Sequence, residues 1–278
     1  MKFLSPAKVN LHLEVLGKRP DGYHEIQTLM HRVGLFDEVE ISLGGRGIRL
    51  VSEGEEVPAG AENLVCRAAQ ILFEEFGIPG DLQIRLQKRI PVAAGLGGGS
   101  SNAATVLRGL NDLLQAGAEE ERLMGLGAKI GADVPFFIFQ KPALARGMGE
   151  RLVAVQLPSP LWFLLLVPPF RISTARAYEF YDRLEKKKED PIRLKDSYPD
   201  LAALLPVLKN DLEWAAFSQH PQMAQMKEEL LARGAPGALM SGSGPVIFGL
   251  FPGKEEAEKT GRAIPLPAGW KTVITQGI

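Results

Sequence analysis

Residues 90–107, IPVAAGLGGGSSNAATVL, decide the fold: glycine fills four of the five positions 95–99, and small, hydroxyl or amide side chains follow until Val106. Upstream, LQIRLQKRIPV (82–92) alternates apolar and polar residues as a strand does. Downstream, Ala103, Val106, Leu107, Leu110 and Leu114 recur at helical spacing, with Ser100 or Ser101 available as the cap. The glycines therefore join a strand to a helix. The first turn of a helix leaves unpaired N–H groups and a partial positive charge, and phosphate satisfies both where the backbone can approach it. A tightly packed turn is the competing reading of an isolated glycine run. A mere turn does not require the narrow, polar entrance formed by Ser100, Ser101, Asn102, Ala103 and Ala104.

Two other phosphate loops fit badly. A P-loop needs a lysine after its second glycine, and no lysine occurs between Arg89 and Lys129. A dinucleotide-binding fold wants its third glycine where Ser100 stands and an acid at the end of the next strand, whereas Glu119–Glu121 open another helix.

With 278 residues, 45% hydrophobic and 23% charged, the chain can bury the core of one large or two ordinary domains. Thirty-two basic against thirty-three acidic residues leave a formal charge of -1, so no broad positive field is expected to hold nucleic acid or an anionic membrane. A phosphate ligand must be bound locally. The opening MKFLSPAKVNLHLEV breaks its apolar run at Ser5, Pro6 and Lys8 and lacks the core of a signal peptide. LWFLLLV (161–167) is far shorter than the ~20 residues that span a bilayer. Cys66 is alone, which excludes an internal disulfide and a thiolate metal cluster. A reducing cytoplasm is the expected setting.

Residues 7–15 alternate between an apolar face (Ala7, Val9, Leu11, Leu13, Val15) and a polar one (Lys8, Asn10, His12, Glu14), the pattern of a half-buried strand. EVEISL and IRLVS read as strands about the GGRG turn, and NLVCRAAQILFEEFG as a helix ended by Gly77. EEERLMGLGAKIG predicts a helix that ends near ADVPFFIF, because Pro135 disfavours helical geometry at Val134. Beyond a boundary placed between 145 and 160, LWFLLLV reads as a buried strand, TARAYEFYDRLEKKK and QMAQMKEELLARG as helices, and EDPIRLKDSYPD as a polar connection. GALMSGSGPVIFGLF places a turn between two apolar strands, and WKTVITQG reads as a last strand.

PVAAGLGGGSSNAA (91–104) resembles the Pro-x-x-x-Gly-Leu-Gly-(Gly-Gly)-Ser-Ser signature of the kinases named for galactose, homoserine, mevalonate and phosphomevalonate, the GHMP kinases. SPAKVNLHLEVLGKRPDGYHEIQTLM (5–30), GADVPFF (131–137), NDLE (210–213) and SGSGPVIFGLF (241–251) follow in family order, and the first narrows the resemblance to a branch acting on a cytidine diphosphate conjugate. The resemblance implies an α+β chain, with a ribosomal-protein-like amino-terminal domain (1–152) that binds ATP and a ferredoxin-like carboxy-terminal domain (153–278). It also implies a left-handed βαβ crossover, against the usual rule. Its implied activity is transfer of the γ-phosphoryl group of ATP, with magnesium, to a hydroxyl of a small-molecule substrate.

By the same resemblance, Pro91, Val92, Ala93, Ala94, Gly95, Leu96, Gly97, Gly98, Gly99, Ser100 and Ser101 hold the nucleotide phosphates, with Lys88 and Asn63 on the adenosine side. Read alone, Lys88 and Asn63 are equally surface residues. Asp133 is implied as the catalytic base and Lys8 as the cation that keeps it ionised. Without the motif, Asp133 is a solvent-facing or capping carboxylate and Lys8 a solvated strand residue. Because Lys8, Asn10 and His12 share one face, a cleft over that face meets all three, and Asn10 is placed to hold substrate hydroxyls. Tyr23 and His24 in DGYHE are assigned to one side of a pyrimidine and Tyr178 to the other; their alternatives are a turn-flanking pair and a packing residue. No acidic pair marks the magnesium ligands, which leaves water, phosphates and Ser101. A mevalonate or homoserine kinase lacks a substrate base and so has no need of DGYHE, and an inactive nucleotide-binding regulator has no need of both Lys8 and Asp133.

Overall fold

Two long strands open the chain, β1 (Lys2–Lys18) and β2 (His24–Leu43), followed by β3 (Ile48–Gly54), α1 (Leu64–Phe76) and β4 (Leu82–Lys88). The computed structural model describes residues 1–78, 80–183 and 190–278. Helix α1 forms where apolar residues repeat at helical spacing and bury Val65, Cys66, Ala68, Ala69, Leu72 and Phe73. The Asn63 side chain accepts the Val65 N–H at 3.0 Å to start it, and Gly77 at φ 63° stops it. Three helices come next: α2 (Gly98–Leu113), α3 (Glu120–Ala128) and α4 (Val134–Phe139). Pro135 does not merely end a helix, as the sequence suggests; it sits in the first turn of α4, where its missing N–H costs nothing.

The second half contains β5 (Ala143–Gly147), β6 (Arg151–Ala154), β7 (Trp162–Val167), α5 (Thr174–Asp182), α6 (Leu201–Leu204), β8 (Lys209–Asn210), α7 (Glu213–Gln219) and α8 (Pro221–Ala232). It ends with β9 (Gly237–Met240), β10 (Ile247–Phe251), α9 (Lys254–Ala263) and β11 (Lys271–Gln276). The remainder of the helix expected over 174–188 lies partly outside the described residues.

Two compact units divide the chain. Unit 1 holds residues 1–7, 35–92 and 97–140, and unit 2 holds 8–34, 93–96 and 141–278, so β1 and β2 each lend one end to each unit. In unit 1, β4 pairs antiparallel with the late part of β2 and parallel with β3, and the β3–α1–β4 path is a parallel crossover. Helix α2 packs on α1, α3 and α4. In unit 2, the early part of β2 pairs with β5, β5 with β6, and β8 lies parallel beside β1. A separate antiparallel sheet in unit 2 has the order β11-β7-β10-β9. With helices between β7 and β9 and between β10 and β11, this is the strand–helix–strand–strand–helix–strand pattern of a ferredoxin-like domain. Its core gathers Leu164, Leu166, Met226, Leu230, Met240 and Ile247.

Strand β1 is not half-buried. Lys8, Asn10, His12 and Glu14 are each no more than 4% exposed, as are Ala7, Val9, Leu11 and Leu13. Alternation reported the chemistry of the two faces but not the backbone that later covers the polar one.

His31 of β2 is 6% exposed, its Nδ1 has no partner among the described residues, and burial, aided by the Arg32 charge, lowers its pKa from 6.5 to about 4. The unfolded chain therefore takes up this proton at a higher pH than the folded one. The neutral ring's contribution to stability is present above pH 6.5 and is lost as pH falls toward 4. Between pH 7 and pH 5 the loss is about 2 kcal/mol. Urea midpoints at the two pH values are expected to differ more for wild type than for His31→Gln; equal differences would assign the acid sensitivity to other groups.

Candidate active site

The answer to what approaches the glycines differs from one glycine to the next. Ala93, Gly95 and Gly97 adopt left-handed φ of 53°, 77° and 68°. Alternation of left- and right-handed residues turns successive N–H groups to one side, a shape that suits an anion. Gly95 is also required by the protein itself: a β-carbon there would overlap the Ser241 carbonyl oxygen and lie 3.1 Å from the Gly244 nitrogen. At Gly98 it would lie 2.8 Å from Lys88 Nζ and 2.9 Å from the Ile90 side chain. At Gly99 there is ordinary room, with Leu64 at 3.6 Å. Gly95→Ala is expected to cost at least about 2 kcal/mol through overlap and a left-handed alanine. Gly99→Ala, at an exposed helical position, is expected to gain up to about 1 kcal/mol. Thermal melts with parallel kinetics check both; a fall in activity for a stable Gly99→Ala protein is the result expected if a phosphate approaches that amide.

The expectation that Ser100 or Ser101 caps α2 is corrected. Gly97 is the N-cap residue and no side chain caps the helix. Ser101 is fully buried with its Oγ 2.8 Å from Ser5 Oγ, an inward position that takes the hydroxyl away from solvent and from a metal ligand set. Ser100 remains partly exposed. Beneath the first turn, Lys88 pairs with the fully buried Asp37 and donates to Ile90 O at 3.0 Å, so it is not a surface residue. Burial pulls the Lys88 ammonium below the usual lysine range, and the Asp37 charge opposes that pull. Asp37 also accepts from the N–H groups of Arg89 and Ile90 at 2.7 and 2.8 Å and from Asn102 Nδ2 at 2.9 Å. Asn63 is likewise buried and engaged, with Pro58 O and Val65 N as its partners.

Asp133 stands at the N-cap position of α4, partly exposed, and its carboxylate makes no cap hydrogen bond. The alternative of a capping aspartate is therefore not realised.

In unit 2, the Lys8 ammonium donates to Gly95 O at 2.9 Å and to Asn10 Oδ1, and the Lys8 N–H donates to Leu96 O at 3.0 Å. The Asn10 amide donates onward to Thr28 Oγ1 at 2.8 Å, so its side chain is engaged on both ends. Ser241 Oγ donates to Gly95 O at 2.8 Å, and the Val246 N–H points at Ala94 O at 3.4 Å, so the SGSG turn is both a hairpin connection and a brace for the glycine loop. Asn210 Nδ2 holds that turn through Met240 O at 2.7 Å and Gly242 O at 2.8 Å, and Glu213 accepts the Met240 N–H at 2.8 Å. His12 does not face an open cleft: its ring is fully buried, Nδ1 lies 2.7 Å from Val207 O, and burial holds its pKa below the ordinary value.

The aromatic group assembles, with one difference. His24 and Tyr178 stack directly on each other, with centroids 4.7 Å apart and planes at 21°, and Tyr181 meets His24 edge-on at 6.2 Å. Ring contact at that separation leaves no slot for a base between them. His24 Nε2 lies 2.6 Å from Asp182 Oδ1, which also receives Lys18 on its other oxygen at 2.5 Å. Tyr23, 64% exposed, holds the outward aromatic surface.

Among the described residues no group of three or more His, Cys, Asp or Glu side chains stands ready to hold a metal, and no helix is long and apolar enough to cross a membrane. Sequence reading missed Asp37, and it gave Asn102, Asn210, Glu213 and Ser241 no individual roles although they stand in the stretches quoted above. A signal existed for Asp37, a charge in phase with inward-facing Val39 and Ile41. For Asn210 and Glu213 the signal was the NDLE motif, which carried no role until the turn at 240–242 was placed.

Two family models match the chain, the GHMP kinases N terminal domain over residues 63–141 and the GHMP kinases C terminal over residues 193–267. A 4-diphosphocytidyl-2-C-methyl-D-erythritol kinase of Citrifermentans bemidjiense is 46% identical over 272 residues, covering 97% of this chain and 96% of its own. A crystal structure of a 4-(cytidine 5'-diphospho)-2C-methyl-D-erythritol kinase superposes with TM-score 0.80 at 38% identity over the full length of both chains. A homoserine kinase from Cytophaga hutchinsonii superposes with TM-score 0.77 over 100% of this chain and 94% of its own; at 21% identity that match speaks for the fold alone.

Proposed function

We infer the activity from the premise that this chain belongs to the 4-diphosphocytidyl-2-C-methyl-D-erythritol kinases of the GHMP kinase family. It transfers the γ-phosphoryl group of ATP to the 2-hydroxyl of 4-diphosphocytidyl-2-C-methyl-D-erythritol, a step in isoprenoid precursor biosynthesis. The geometric observation that carries this reading is the grip of Lys8 Nζ on Gly95 O, which fixes a desolvated ammonium against the glycine loop.

Phosphoryl transfer asks for alignment of the attacking and leaving oxygens and for cancellation of charge on the moving group. Amides of the left-handed loop and the start of α2 supply fixed dipoles for the triphosphate. Lys8 supplies positive charge that cannot wander, since its partners hold it. Asp133, not committed to capping, accepts the proton of the substrate hydroxyl. Lys88 acts beneath Gly98 as a support of the first turn and not as a direct nucleotide contact. Tyr23 offers the open face for stacking the cytosine. Magnesium belongs to the nucleotide phosphates and water, since the described residues offer no acidic cage for it. A soluble cytoplasmic enzyme acting on a small molecule is the setting that fits these parts.

An ADP-release assay with 4-diphosphocytidyl-2-C-methyl-D-erythritol, mevalonate and homoserine tests the substrate. Turnover of the first is expected; turnover of only the other two would overturn the assignment.

A further inference from the structure

A cavity of about 680 Å³ lies in unit 2 between the β5–β6 hairpin and residues 193–197, and none of the site residues described above lines it. Four cations line it, Arg146, Arg151, Arg193 and Lys195, against one carboxylate, Asp196. Arg146 and Arg151 are direct cross-strand partners in the β5–β6 register, so two guanidinium groups start from adjacent positions on one face. Like charges placed opposite each other destabilise a strand pair. Arg151 is relieved by Glu25 at 2.6 Å, while no ion pair joins Arg146, Arg193 or Lys195 to any described residue. All four cations are exposed, and nothing in the folding of this unit requires them to converge.

The next cross-strand pair on the same face is Leu144 with Val153, and both line the cavity. Leu144 and Leu194 are buried, whereas Val153 is 60% exposed, a large apolar surface left open beside the cations. The hairpin face thus presents a cationic pair and, two residues along, an apolar pair. The opposite wall is built in advance: the Gln156 N–H donates to Asp196 O at 2.8 Å, the Tyr198 N–H donates to Gln156 O at 2.8 Å, and Tyr198 is 2% exposed. A cavity of this size, preformed and with convergent polar groups over an apolar floor, has the character of a small-molecule site.

We propose that this cavity is a second binding site, distinct from the kinase centre, for an amphiphilic organic phosphate: the phosphate is clamped by Arg146, Arg193 and Lys195 and the apolar body lies on Leu144 and Val153. Guanidinium groups bind phosphate in a planar, bidentate manner, and three cations with no ion pair to a described residue match a group carrying up to two charges better than a single carboxylate.

The probe is n-octyl phosphate, titrated calorimetrically into the full-length wild-type protein, with inorganic phosphate and octanol as separate arms. Octyl phosphate is expected to bind at least tenfold more tightly than either, and to weaken on raising salt from 50 to 500 mM, as screening requires. The double variant Arg146→Glu/Arg193→Glu is expected to lose binding at least tenfold while retaining its thermal melt and its kinase turnover. Val153→Ser is expected to weaken octyl phosphate but not inorganic phosphate. Undiminished binding by the double variant, equal binding of inorganic phosphate, or displacement of the probe by ATP or by the cytidine substrate would each overturn the proposal. Because the readout is binding in the presence of intact turnover, failure here leaves the kinase assignment untouched.

Discussion

Exchange of Asp133 for Asn is expected to lower kcat about 10²- to 10⁴-fold, with the KM for ATP and the melting temperature near wild type. The side chain is the right one to change because it has no structural duty as a cap: it is partly exposed at the start of α4 and makes no cap hydrogen bond. Asn keeps the shape and removes the proton acceptor. Lys8→Met is expected to cost about 10²- to 10³-fold as a lost electrostatic clamp. It also strips the ammonium from Asn10 Oδ1, at about 1–3 kcal/mol for a buried acceptor left unpaired, while Gly95 O keeps the Ser241 hydroxyl as a donor. Its kinetics must therefore be read beside its folded fraction. If both groups act on one transferring phosphoryl group, the double variant falls little below the worse single one. Independent multiplication of the two losses would place them in separate steps, and an active Asp133→Asn protein would remove the carboxylate from the chemistry.

Asp37→Ala is expected to destabilise the protein by about 3–5 kcal/mol, the cost of leaving a buried charge without its partner. Four donors converge on this one carboxylate: Lys88 Nζ, the N–H groups of Arg89 and Ile90, and Asn102 Nδ2. Three of the four do not reach water readily, since Lys88, Ile90 and Asn102 are all buried. Adding Lys88→Met to an Asp37→Leu background is expected to recover part of the loss, because two apolar groups replace an ion pair more cheaply than one charge stands alone. Urea midpoints for the wild type and these variants decide it. A drop below about 1 kcal/mol for Asp37→Ala would mean that water enters beneath the glycine helix and solvates Lys88.

Legibility was uneven for physical reasons. Helix α1 was readable at both ends because Asn63 and Gly77 act locally, through hydrogen bonds and backbone conformation within their own turn. The ferredoxin-like sheet was readable in its strands because β7, β9 and β10 are short apolar runs. The early part of β2 was not, since Ile26–His31 is buried on both faces and carries no alternation. Helix α9 was also missed: it buries only Ala257 and Thr260, too narrow a stripe to announce a helix.

By itself the sequence determined the family signature, the strand–glycine–helix order at 82–113 and the identity of the charged groups at Lys8 and Asp133. These depend on residue type and on neighbours a few positions away. Only the tertiary structure decided which charges are engaged and which stay open. Lys8 is gripped by a loop near residue 95, Gly95 is forced by a carbonyl at 241, and Lys88 is committed to an aspartate at 37. Burial of a polar face depends on backbone arriving from far along the chain, and the periodicity of a strand holds no record of that arrival.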